Sequence, residues 1–452
     1  MGKSYSISPE EVHPIETRYR RIVTPIPAPE SVPVLETLRE FEPRSMSGQP
    51  PVVWDHAQGV NVYDAYGNRW LDFSSGVLVT GAGHAHPAVT AGIRGQLEKP
   101  LLHNYCFPSE IRARLAKKIA DVSPAPLKKV FLLTTGAETT ECALKLIRTQ
   151  GKSRGAKVVI TFEGSFHGRT LGAQMMGGMP ALKEWISTPD PDIHQVPFPG
   201  DPRCGDRSFD VFTAYLKEKG IAPGQVCGVV SETYQGASAA FMPVEYARAL
   251  RAWCDENGAL LVFDEVQAGF GRTGTMFGFQ HYGVLPDLYC LGKGISSSLP
   301  LSAVVGKPDI MDQYEPGTMT STHTGNPLSC AAALAGIQAI RDEGMIENAA
   351  RMEPVLAEKL GAMKDAFEQV GFLCGKGLVW GMHIVKAGGT EPDGDAAFQI
   401  VERCFQKGLL FFAPVGPGGA TIKISPPLCI TKDAVDEGCA VLEESIREVT
   451  EK

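Results

Sequence analysis

The sequence predicts an α/β protein in which a large domain contains a mostly parallel sheet and a smaller α/β domain follows it. From about residue 87 onward, short apolar runs of strand length alternate with segments of helical periodicity, and several runs end in polar or charged residues. Continuous apolar runs are typical of parallel strands that are covered on both faces. A chain of 452 residues is too long for one simple core, so we expect two or three domains.

Two of the predicted strands end in residues that carry chemistry. The run 259–263 ends in Asp264 and Glu265, and the run 289–291 leads into Lys293, which stands between two glycines. Because the carboxyl ends of parallel strands meet at one edge of a sheet, we expect the acid and the amine to lie there together. Partial desolvation of Lys293 lowers the pKa of its amine and favours a neutral nucleophile.

A buried acid and a strand-end lysine are the pair that pyridoxal phosphate needs. The carboxylate keeps the pyridine nitrogen protonated, which makes the ring an electron sink, and the amine carries the cofactor. An ordinary α/β strand followed by a surface lysine gives the same pattern. The pair alone therefore leaves both interpretations open.

A longer gapped pattern extends this evidence. It consists of LVFDEVQAGFGRTG (261–274), PD (286–287), LGKG (291–294) and LPLSA (299–303). This pattern resembles the signature of class III aminotransferases, although three serines (296–298) stand where that family usually has small residues including glycines. The resemblance implies a fold-type I pyridoxal-phosphate-dependent transferase, with a mixed, mostly parallel seven-stranded sheet in the large domain plus a smaller α/β domain. It also implies that Lys293 carries the cofactor, Asp264 contacts the ring nitrogen and Gln267 lies near the ring hydroxyl.

A phosphate site is predicted at the start of a helix. Residues 130–134 form an apolar strand, and Gly136 and Ala137 open a helix whose apolar positions, from Cys142 to Ile147, recur at helical spacing. Amide groups at a helix N-terminus carry about half a positive charge, which suits a phosphate. Strand-glycine-helix turns are common, but the resemblance implies that Gly136 and Ala137 bind the cofactor phosphate.

An aromatic-histidine-glycine-arginine motif follows the predicted strand 158–162. Phe166 and His167 match the part of the family motif that contacts the cofactor, and the aromatic ring covers the pyridine ring there. Arg169 matches the arginine that binds a substrate carboxylate in the branch that uses 4-aminobutyrate. Without the resemblance, a core phenylalanine and a surface ion pair explain the motif equally well.

Two departures from the family concern the substrate. Glu232 matches the family's cofactor-binding segment, but Ala237 stands where the 4-aminobutyrate branch has a glutamate. In that branch the glutamate pairs with an arginine of the C-terminal domain, and here Lys423 stands at the arginine position. A lysine lacks the bidentate fork, so we expect weaker carboxylate binding by Lys423, or binding of another anion. Because both partners are replaced, a pyruvate-type acceptor remains open, as does an ω-amino acid, taurine or diamine donor.

The N-terminal segment contains two further features. Residues 52–54 and 60–64 predict a hairpin, and the family's corresponding loop implies that Val77, Leu78 and Val79 reach the substrate. His84 and His86 are spaced as metal ligands often are, but no third ligand is indicated, so we predict no metal site.

The resemblance also implies a homodimer or a dimer of dimers. Thr322 lies in a segment similar to one in which the family's threonine reaches the phosphate of the neighbouring subunit's cofactor. We predict three domains: 1–86, an N-terminal arm and small antiparallel sheet that is part of the small domain; 87–335, the large cofactor-binding domain; and 336–452, the C-terminal small α/β domain.

Composition excludes several classes of protein. The net charge of −8 argues against a nucleic-acid partner, and no apolar run approaches the roughly 20 residues of a membrane helix. The N-terminus lacks the apolar region of a signal peptide, so we expect a cytoplasmic protein. The 11 cysteines include no C-x-x-C pair, and Cys142, Cys290, Cys330 and Cys439 are predicted to be core residues.

We therefore predict a pyridoxal-phosphate-dependent transaminase that moves an amino group from a 4-aminobutyrate-like ω-amino acid or amine to a 2-oxo acid. The alternative is a lyase, racemase or decarboxylase on the same scaffold, since these reactions use the same cofactor and differ in which substrate bond is aligned with the ring π-system. A non-enzymatic binding protein is disfavoured because the cofactor lysine and its partners are all present. A dinucleotide-binding dehydrogenase is disfavoured because no G-x-G-x-x-G motif follows a first strand.

Overall fold

The structure is a computed structural model, and it describes residues 3–451. In chain order its strands are β1 (Ile15–Glu16), β2 (Arg21–Ile22), β3 (His56–Gln58), β4 (Asn61–Tyr63), β5 (Arg69–Asp72), β6 (Lys129–Leu133), β7 (Val158–Phe162), β8 (Ile193–Val196), β9 (Val226–Glu232), β10 (Leu260–Asp264), β11 (Leu288–Leu291), β12 (Ser302–Gly306), β13 (Val370–Lys376), β14 (Val379–Ile384), β15 (Leu409–Leu410) and β16 (Thr421–Ile424). Its helices are α1 (Val32–Phe41), α2 (Ser75–Leu78), α3 (Pro87–Leu97), α4 (Glu110–Val122), α5 (Gly136–Lys152), α6 (Leu171–Met176), α7 (Asp210–Glu218), α8 (Val244–Asn257), α9 (Pro308–Met311), α10 (Pro327–Asp342), α11 (Met345–Ala366), α12 (Gly394–Gln406) and α13 (Lys432–Thr450). Of these, α2 is a single turn of left-handed backbone.

Backbone contacts divide the chain into two compact units. The first unit combines the described residues up to His86 with those from Asn348 onward, and the second is the continuous stretch Pro87–Glu347. The predicted boundary between residues 335 and 336 falls inside α10, so a division there would cut a helix.

Seven strands of the second unit form one mixed sheet in the order β6-β12-β11-β10-β9-β7-β8. Pairing is parallel from β11 through β10, β9 and β7 to β8, whereas β12 is antiparallel to both of its neighbours. Every residue of β7, β9, β10 and β11 is buried, as expected of strands that are covered on both faces. The predicted α/β fold with a mostly parallel seven-stranded sheet is confirmed.

Helix α5 supplies much of the apolar cover of this sheet. Its side chains Cys142, Ala143, Leu146 and Ile147 are buried in one cluster with strand residues such as Val262. Burial of a large aliphatic side chain contributes about 1.5–3 kcal/mol, so this face holds the helix in place. The helix therefore presents its N-terminus at the edge of the sheet where the strands end.

The first unit contains two smaller sheets. One has the order β1-β2-β5-β4-β3, with β15 parallel to β5, and the other is the antiparallel sheet β13-β14-β16. The N-terminal arm packs on its own unit, where the Tyr5 ring stacks 3.9 Å from the Phe398 ring. No helix within residues 3–451 is long and apolar enough to cross a membrane.

The predicted first hairpin strand, residues 52–54, is wrong. The strand that pairs with β4 is β3, in which Gln58 faces Asn61 across a two-residue turn. The tight turn sets this register, and the pairing ends at His56 opposite Tyr63, before the 52–54 segment is reached.

Candidate active site

Three neighbouring strands of the seven-stranded sheet end at one cavity. Glu232 is the last residue of β9, Asp264 is the last residue of β10, and Lys293 follows β11 by two positions. The cavity has a volume of about 150 Å³. Its walls are formed by Gly136, Ala137, Phe166, His167, Gly168, Glu232, Asp264, Val266, Gln267 and Lys293. The structure thus brings together the predicted cofactor residues of the second unit, with Thr322 as the exception.

Asp264 and His167 form a buried pair in the wall of the cavity. Asp264 Oδ2 lies 2.8 Å from His167 Nδ1, and Asp264 Oδ1 accepts the Val266 amide at 3.0 Å. Burial lowers the pKa of His167, but the hydrogen bond to Asp264 and the charges of Asp264 and Glu232 outweigh it, so the net pKa is raised. His167 therefore favours its protonated form, and its Nδ1 donates to the Asp264 carboxylate.

Glu232 fixes the backbone on the aromatic side of the cavity. Its carboxylate accepts the amides of Phe166 at 2.9 Å and of Gly236 at 2.8 Å. Burial raises the pKa of Glu232 to about 7, and the charge of Asp264 adds to this increase while His167 opposes it. Glu232 consequently ties the β9 end to the segment that follows β7.

Glu265 is a second buried carboxylate, and it lies outside the lining of the cavity. It accepts the amides of Gly278 and Phe279, both at 2.8 Å, and the hydroxyl of Thr233. Burial raises the pKa of Glu265 to about 7, although these three hydrogen bonds lower it. The side chain anchors the long loop after β10 from behind the cavity.

Lys293 stands at a strained position of the backbone. Its φ is 41°, in the left-handed region that costs a non-glycine residue about 1–3 kcal/mol. Burial lowers the pKa of the Lys293 amine, and the charges of Asp264 and Glu232 oppose that decrease. A lowered pKa increases the fraction of neutral amine, the form that acts as a nucleophile.

The N-terminus of α5 contributes Gly136 and Ala137 to the lining of the cavity. Thr135 caps the helix by accepting the Glu138 amide at 3.3 Å, and the Glu138 carboxylate accepts the Thr135 amide at 2.7 Å. A Cβ atom on Gly136 would lie 3.0 Å from a methyl group of Val266, so glycine leaves room for close approach at this point. Capped amides beside small residues form an arrangement that suits a phosphate.

The aromatic wall carries the predicted carboxylate-binding arginine. Phe166 is half-buried, and the guanidinium of Arg169 lies 5.7 Å from the centre of its ring. Arg169 itself is exposed. Arg169 therefore places a cation at the surface of the second unit, beside an aromatic residue that lines the cavity.

The other predicted substrate residues belong to the first unit. Val77 is 43 % exposed with φ 61°, and Val79 is half-buried. Lys423 lies in β16 between two buried isoleucines and is 1 % exposed. Thr322, in the second unit, lies in an exposed turn before α10. Their substrate and partner contacts stay predictions.

Sequence reasoning missed two residues that line the cavity. The methyl groups of Val266 lie next to Gly136 and Gly292, and a Cβ atom added to either glycine would contact them. Gly168 has φ 129°, and a Cβ there would lie 2.6 Å from the Cβ of Ala137. Val266 precedes Gln267, and Gly168 lies between His167 and Arg169. Their positions next to predicted site residues could therefore have identified them from the sequence.

The residues around the cavity fit pyridoxal phosphate. Asp264 retains acceptor capacity beyond its two hydrogen bonds, since a carboxylate has about four lone-pair sites. His167 Nε2 is buried without a hydrogen-bond partner among the described residues, so the cavity suits a polar ligand. A lysine, an aromatic face and a capped helix N-terminus complete the set of groups that this cofactor requires.

Comparison with known proteins identifies the family. The family model described as aminotransferase class-III matches residues 44–446. The chain is 35 % identical over 398 residues to the acetylornithine aminotransferase of Methanopyrus kandleri, covering 88 % of this chain and 95 % of that relative. It is 31 % identical over 438 residues to the 4-aminobutyrate aminotransferase of Mycobacterium leprae, covering 94 % and 97 %. It is also 29 % identical over 462 residues to an alanine/serine racemase of Pyrococcus horikoshii, covering 98 % and 96 %.

A solved structure agrees in fold and cofactor. An amine transaminase from an uncultivated Pseudomonas species, crystallised with pyridoxal phosphate bound, matches with a TM-score of 0.80 and 26 % identity. The match covers 88 % of this chain and 94 % of that chain. The chain therefore belongs to the class III aminotransferases and is a pyridoxal-phosphate-dependent enzyme.

Proposed function

We propose that the enzyme transfers an amino group from an ω-amino acid or amine, of the 4-aminobutyrate type, to a 2-oxo acid. The observation that carries this proposal is the single cavity in which Lys293, the Asp264–His167 pair and the N-terminus of α5 meet. The named relatives support the donor class, because acetylornithine and 4-aminobutyrate both carry a terminal primary amine and a carboxylate.

Different residues of the cavity would bind different parts of the cofactor. Asp264 would bind the protonated ring nitrogen, and His167 holds the Asp264 carboxylate in place through a 2.8 Å hydrogen bond. Phe166 would cover one face of the ring, and Gln267 would contact its hydroxyl. The amides of Gly136 and Ala137 bind the phosphate at the capped start of α5. When bound, pyridoxal phosphate supplies an electron sink for the bond that breaks at the amino-bearing carbon of the donor.

Lys293 performs the proton transfer. Lys293 would hold the cofactor through its amine, and burial lowers the pKa of that amine, so the fraction of neutral Nζ is increased when it is free. The neutral amine takes the proton from the carbon that bears the donor nitrogen. The Asp264 carboxylate, held in place by its hydrogen bonds to His167 and Val266, would stabilise a protonated ring nitrogen when the cofactor is bound.

Arg169 is the proposed carboxylate partner on the substrate side. Its exposed guanidinium beside Phe166 provides the bidentate donors that a carboxylate accepts best. Lys423 is 1 % exposed and lacks that fork, so a 2-oxo acid with one carboxylate, of the pyruvate type, suits this chain better than a dicarboxylate. Ala237 supports the same type of acceptor. The 4-aminobutyrate branch has a glutamate at this position that pairs with an arginine, and alanine has no charge with which to form that pair.

We also propose a homodimer or a dimer of dimers in which Thr322 reaches the cofactor phosphate of the partner. The exposure of this threonine supports the proposal, because a residue buried in its own subunit is unable to do so. The cytoplasm is the proposed compartment. None of the 11 cysteines, all of which lie within residues 3–451, forms a disulfide, and seven of them are buried, as in proteins of reducing compartments.

A single-turnover experiment tests the function. Purified enzyme is mixed with one donor at a time and no oxo acid, using 4-aminobutyrate, β-alanine, taurine, diamines, alanine and phosphorylated amines. We expect the visible absorption of the lysine-bound cofactor to disappear with an ω-amino acid, as the cofactor takes up the amino group. If no donor removes that absorption, the enzyme is not a transaminase for this class.

A second candidate is racemisation of an α-amino acid, which the racemase relative favours. The same mixture distinguishes the two reactions. A racemase inverts the stereocentre of alanine while the visible absorption persists, and chiral chromatography of the recovered amino acid detects the inversion. A lyase or decarboxylase likewise retains the absorption but releases a product of different mass.

A further inference from the structure

Arg169 directly precedes Thr170, the N-cap residue of helix α6. Its guanidinium is exposed and lies 5.7 Å from the centre of the Phe166 ring. An exposed side chain of this length can turn about several bonds, so its backbone must be held if the charge is to meet a ligand from a fixed direction. The contacts that hold this backbone therefore affect how well Arg169 binds a carboxylate.

A glutamate of helix α5 caps helix α6. The first amides of a helix have no partner within the helix, and the side chain of the N-cap residue often accepts one of them. In the part of the chain that the structure describes, the Thr170 side chain makes no such bond. Instead, Glu141 Oε1 accepts the amides of Gly172 at 2.8 Å and of Ala173 at 3.2 Å. The same oxygen accepts the Thr170 hydroxyl at 2.7 Å, so one oxygen from the neighbouring helix fixes where α6 begins.

Two glycines let the segment around Arg169 approach α5 closely. A Cβ atom on Gly172 would overlap the Glu141 carboxylate. Gly168 has φ 129°, and a Cβ atom there would lie 2.6 Å from the Cβ of Ala137 at the start of α5. A side chain at either glycine would push the segment away from the helix. The glycines and Glu141 therefore keep the Arg169 backbone close to α5 on both sides of this residue.

Thr140, the residue before Glu141, holds the other end of the same segment. Its side chain is buried, and Thr140 Oγ1 donates to the carbonyl of His167 at 2.7 Å. Both residues belong to α5, whose N-terminus lines the cofactor cavity. The segment that begins at His167 and ends in α6 is thus attached at both ends to one helix. Arg169 lies between these two attachments.

We propose that Glu141 is a positioning residue for Arg169: by capping α6 from α5, it holds the backbone from which Arg169 reaches the carboxylate of the donor. This inference rests on the proposed function, in which Arg169 binds that carboxylate, and deepens it. Glu141 carries a negative charge, so its direct electrostatic effect on an anionic donor is repulsive. Its contribution to carboxylate binding must therefore come through the position of Arg169.

Two substitutions at Glu141 separate position from charge. Both remove the charge, but Glu141→Gln keeps an oxygen that can accept the same donors, whereas Glu141→Ala removes it. The readout is the half-saturating donor concentration in the donor half-reaction of the holoenzyme, measured without oxo acid. We expect Glu141→Ala to raise this concentration about 5-fold for 4-aminobutyrate and less than about 2-fold for propylamine, which has no carboxylate. Glu141→Gln should restore the wild-type values. Loss of the charge alone would lower the concentration for 4-aminobutyrate, which is the opposite direction.

A double-mutant cycle tests whether Glu141 acts through Arg169. In the Arg169→Ala background no guanidinium remains to be positioned. We therefore expect Glu141→Ala to change the half-saturating concentration of 4-aminobutyrate less than about 2-fold in that background. Glu184→Gln is the matched control, because it removes the charge of an exposed glutamate after α6 in the same unit, and it should leave both donors unaffected. The visible absorption of the bound cofactor should be the same in all variants.

The outcomes separate the two proposals. A wild-type enzyme that converts no donor refutes the proposed function, and this inference with it. If Arg169→Ala weakens binding of 4-aminobutyrate selectively but Glu141→Ala affects both donors equally, Glu141 serves stability alone and only the inference is wrong. The inference is also overturned if Glu141→Gln behaves like Glu141→Ala, or if the effects of Glu141→Ala and Arg169→Ala multiply in the double variant.

Discussion

Asp264→Asn tests the electrostatics of the cofactor cavity. The Asp264 carboxylate accepts the Val266 amide at 3.0 Å and lies 2.8 Å from His167 Nδ1. Asparagine has the same shape but retains one acceptor oxygen and no charge. Hydrogen bonds to charged groups contribute about 1.5–3 kcal/mol, which corresponds to about 10- to 150-fold in rate when the bond is needed in the transition state. The pKa of both His167 and Lys293 should fall as well, because the charge of Asp264 raises both.

The assay is the donor half-reaction, followed by rapid mixing after the enzyme has been saturated with cofactor. We expect the reaction of Asp264→Asn to slow at least 10-fold while the cofactor remains bound. Glu265→Gln is the matched control, because it neutralises the adjacent buried carboxylate outside the cavity lining. Loss of one amide acceptor there should lower the free energy of unfolding by about 1–3 kcal/mol and leave the rate within a few-fold. If Asp264→Asn binds cofactor and reacts at the wild-type rate, the proposed role of Asp264 is wrong.

Three further predictions follow from the same geometry. Lys293→Ala removes the amine that carries the cofactor, so turnover should vanish while some cofactor stays bound, and measurable turnover would contradict the assignment. Arg169→Ala should raise KM about 10-fold or more for donors with a carboxylate and change it little for simple amines, and equal changes would exclude Arg169 from carboxylate binding. The last concerns pH: because the pKa of Glu232 is raised from 4.5 to about 7, the native state binds this proton more tightly than the unfolded chain. The resulting stabilisation is present below pH 4.5 and is lost as the pH rises through about 7, a loss of about 3 kcal/mol. Denaturant unfolding of the cofactor-free enzyme should show this decline, and Glu232→Gln should make it shallower; an unchanged slope would exclude Glu232 as its source.

The cofactor cavity was predictable because its residues stand at the ends of recognisable strands. The apolar runs of β9, β10 and β11 are short and continuous, and parallel pairing brings their carboxyl ends to one edge. Glu232, Asp264 and Lys293 therefore had to lie near one another once the sheet was assigned. The helical spacing from Cys142 onward similarly located the start of α5.

The pairing of His84 with Asp72 was not predictable from local pattern. The two residues are 12 positions apart, on either side of a turn whose left-handed backbone no residue type in the sequence demands. The two histidines are spaced as metal ligands often are, although we predicted no metal site there. Sequence shows which side chains are close along the chain, but not which carboxylate the fold brings to them. The first hairpin strand was misplaced for a related reason, since turn geometry rather than residue type set its register.

The two units therefore differ in how far apart along the chain their interacting residues lie. The cofactor cavity lies in the continuous unit, where strand order and short motifs determine the chemistry. The left-handed turn α2 lies in the discontinuous unit, where Ser75 donates to the carbonyl of Ser425, a residue 350 positions later. Two relatives that are about 30 % identical to this chain carry names as different as 4-aminobutyrate aminotransferase and alanine/serine racemase.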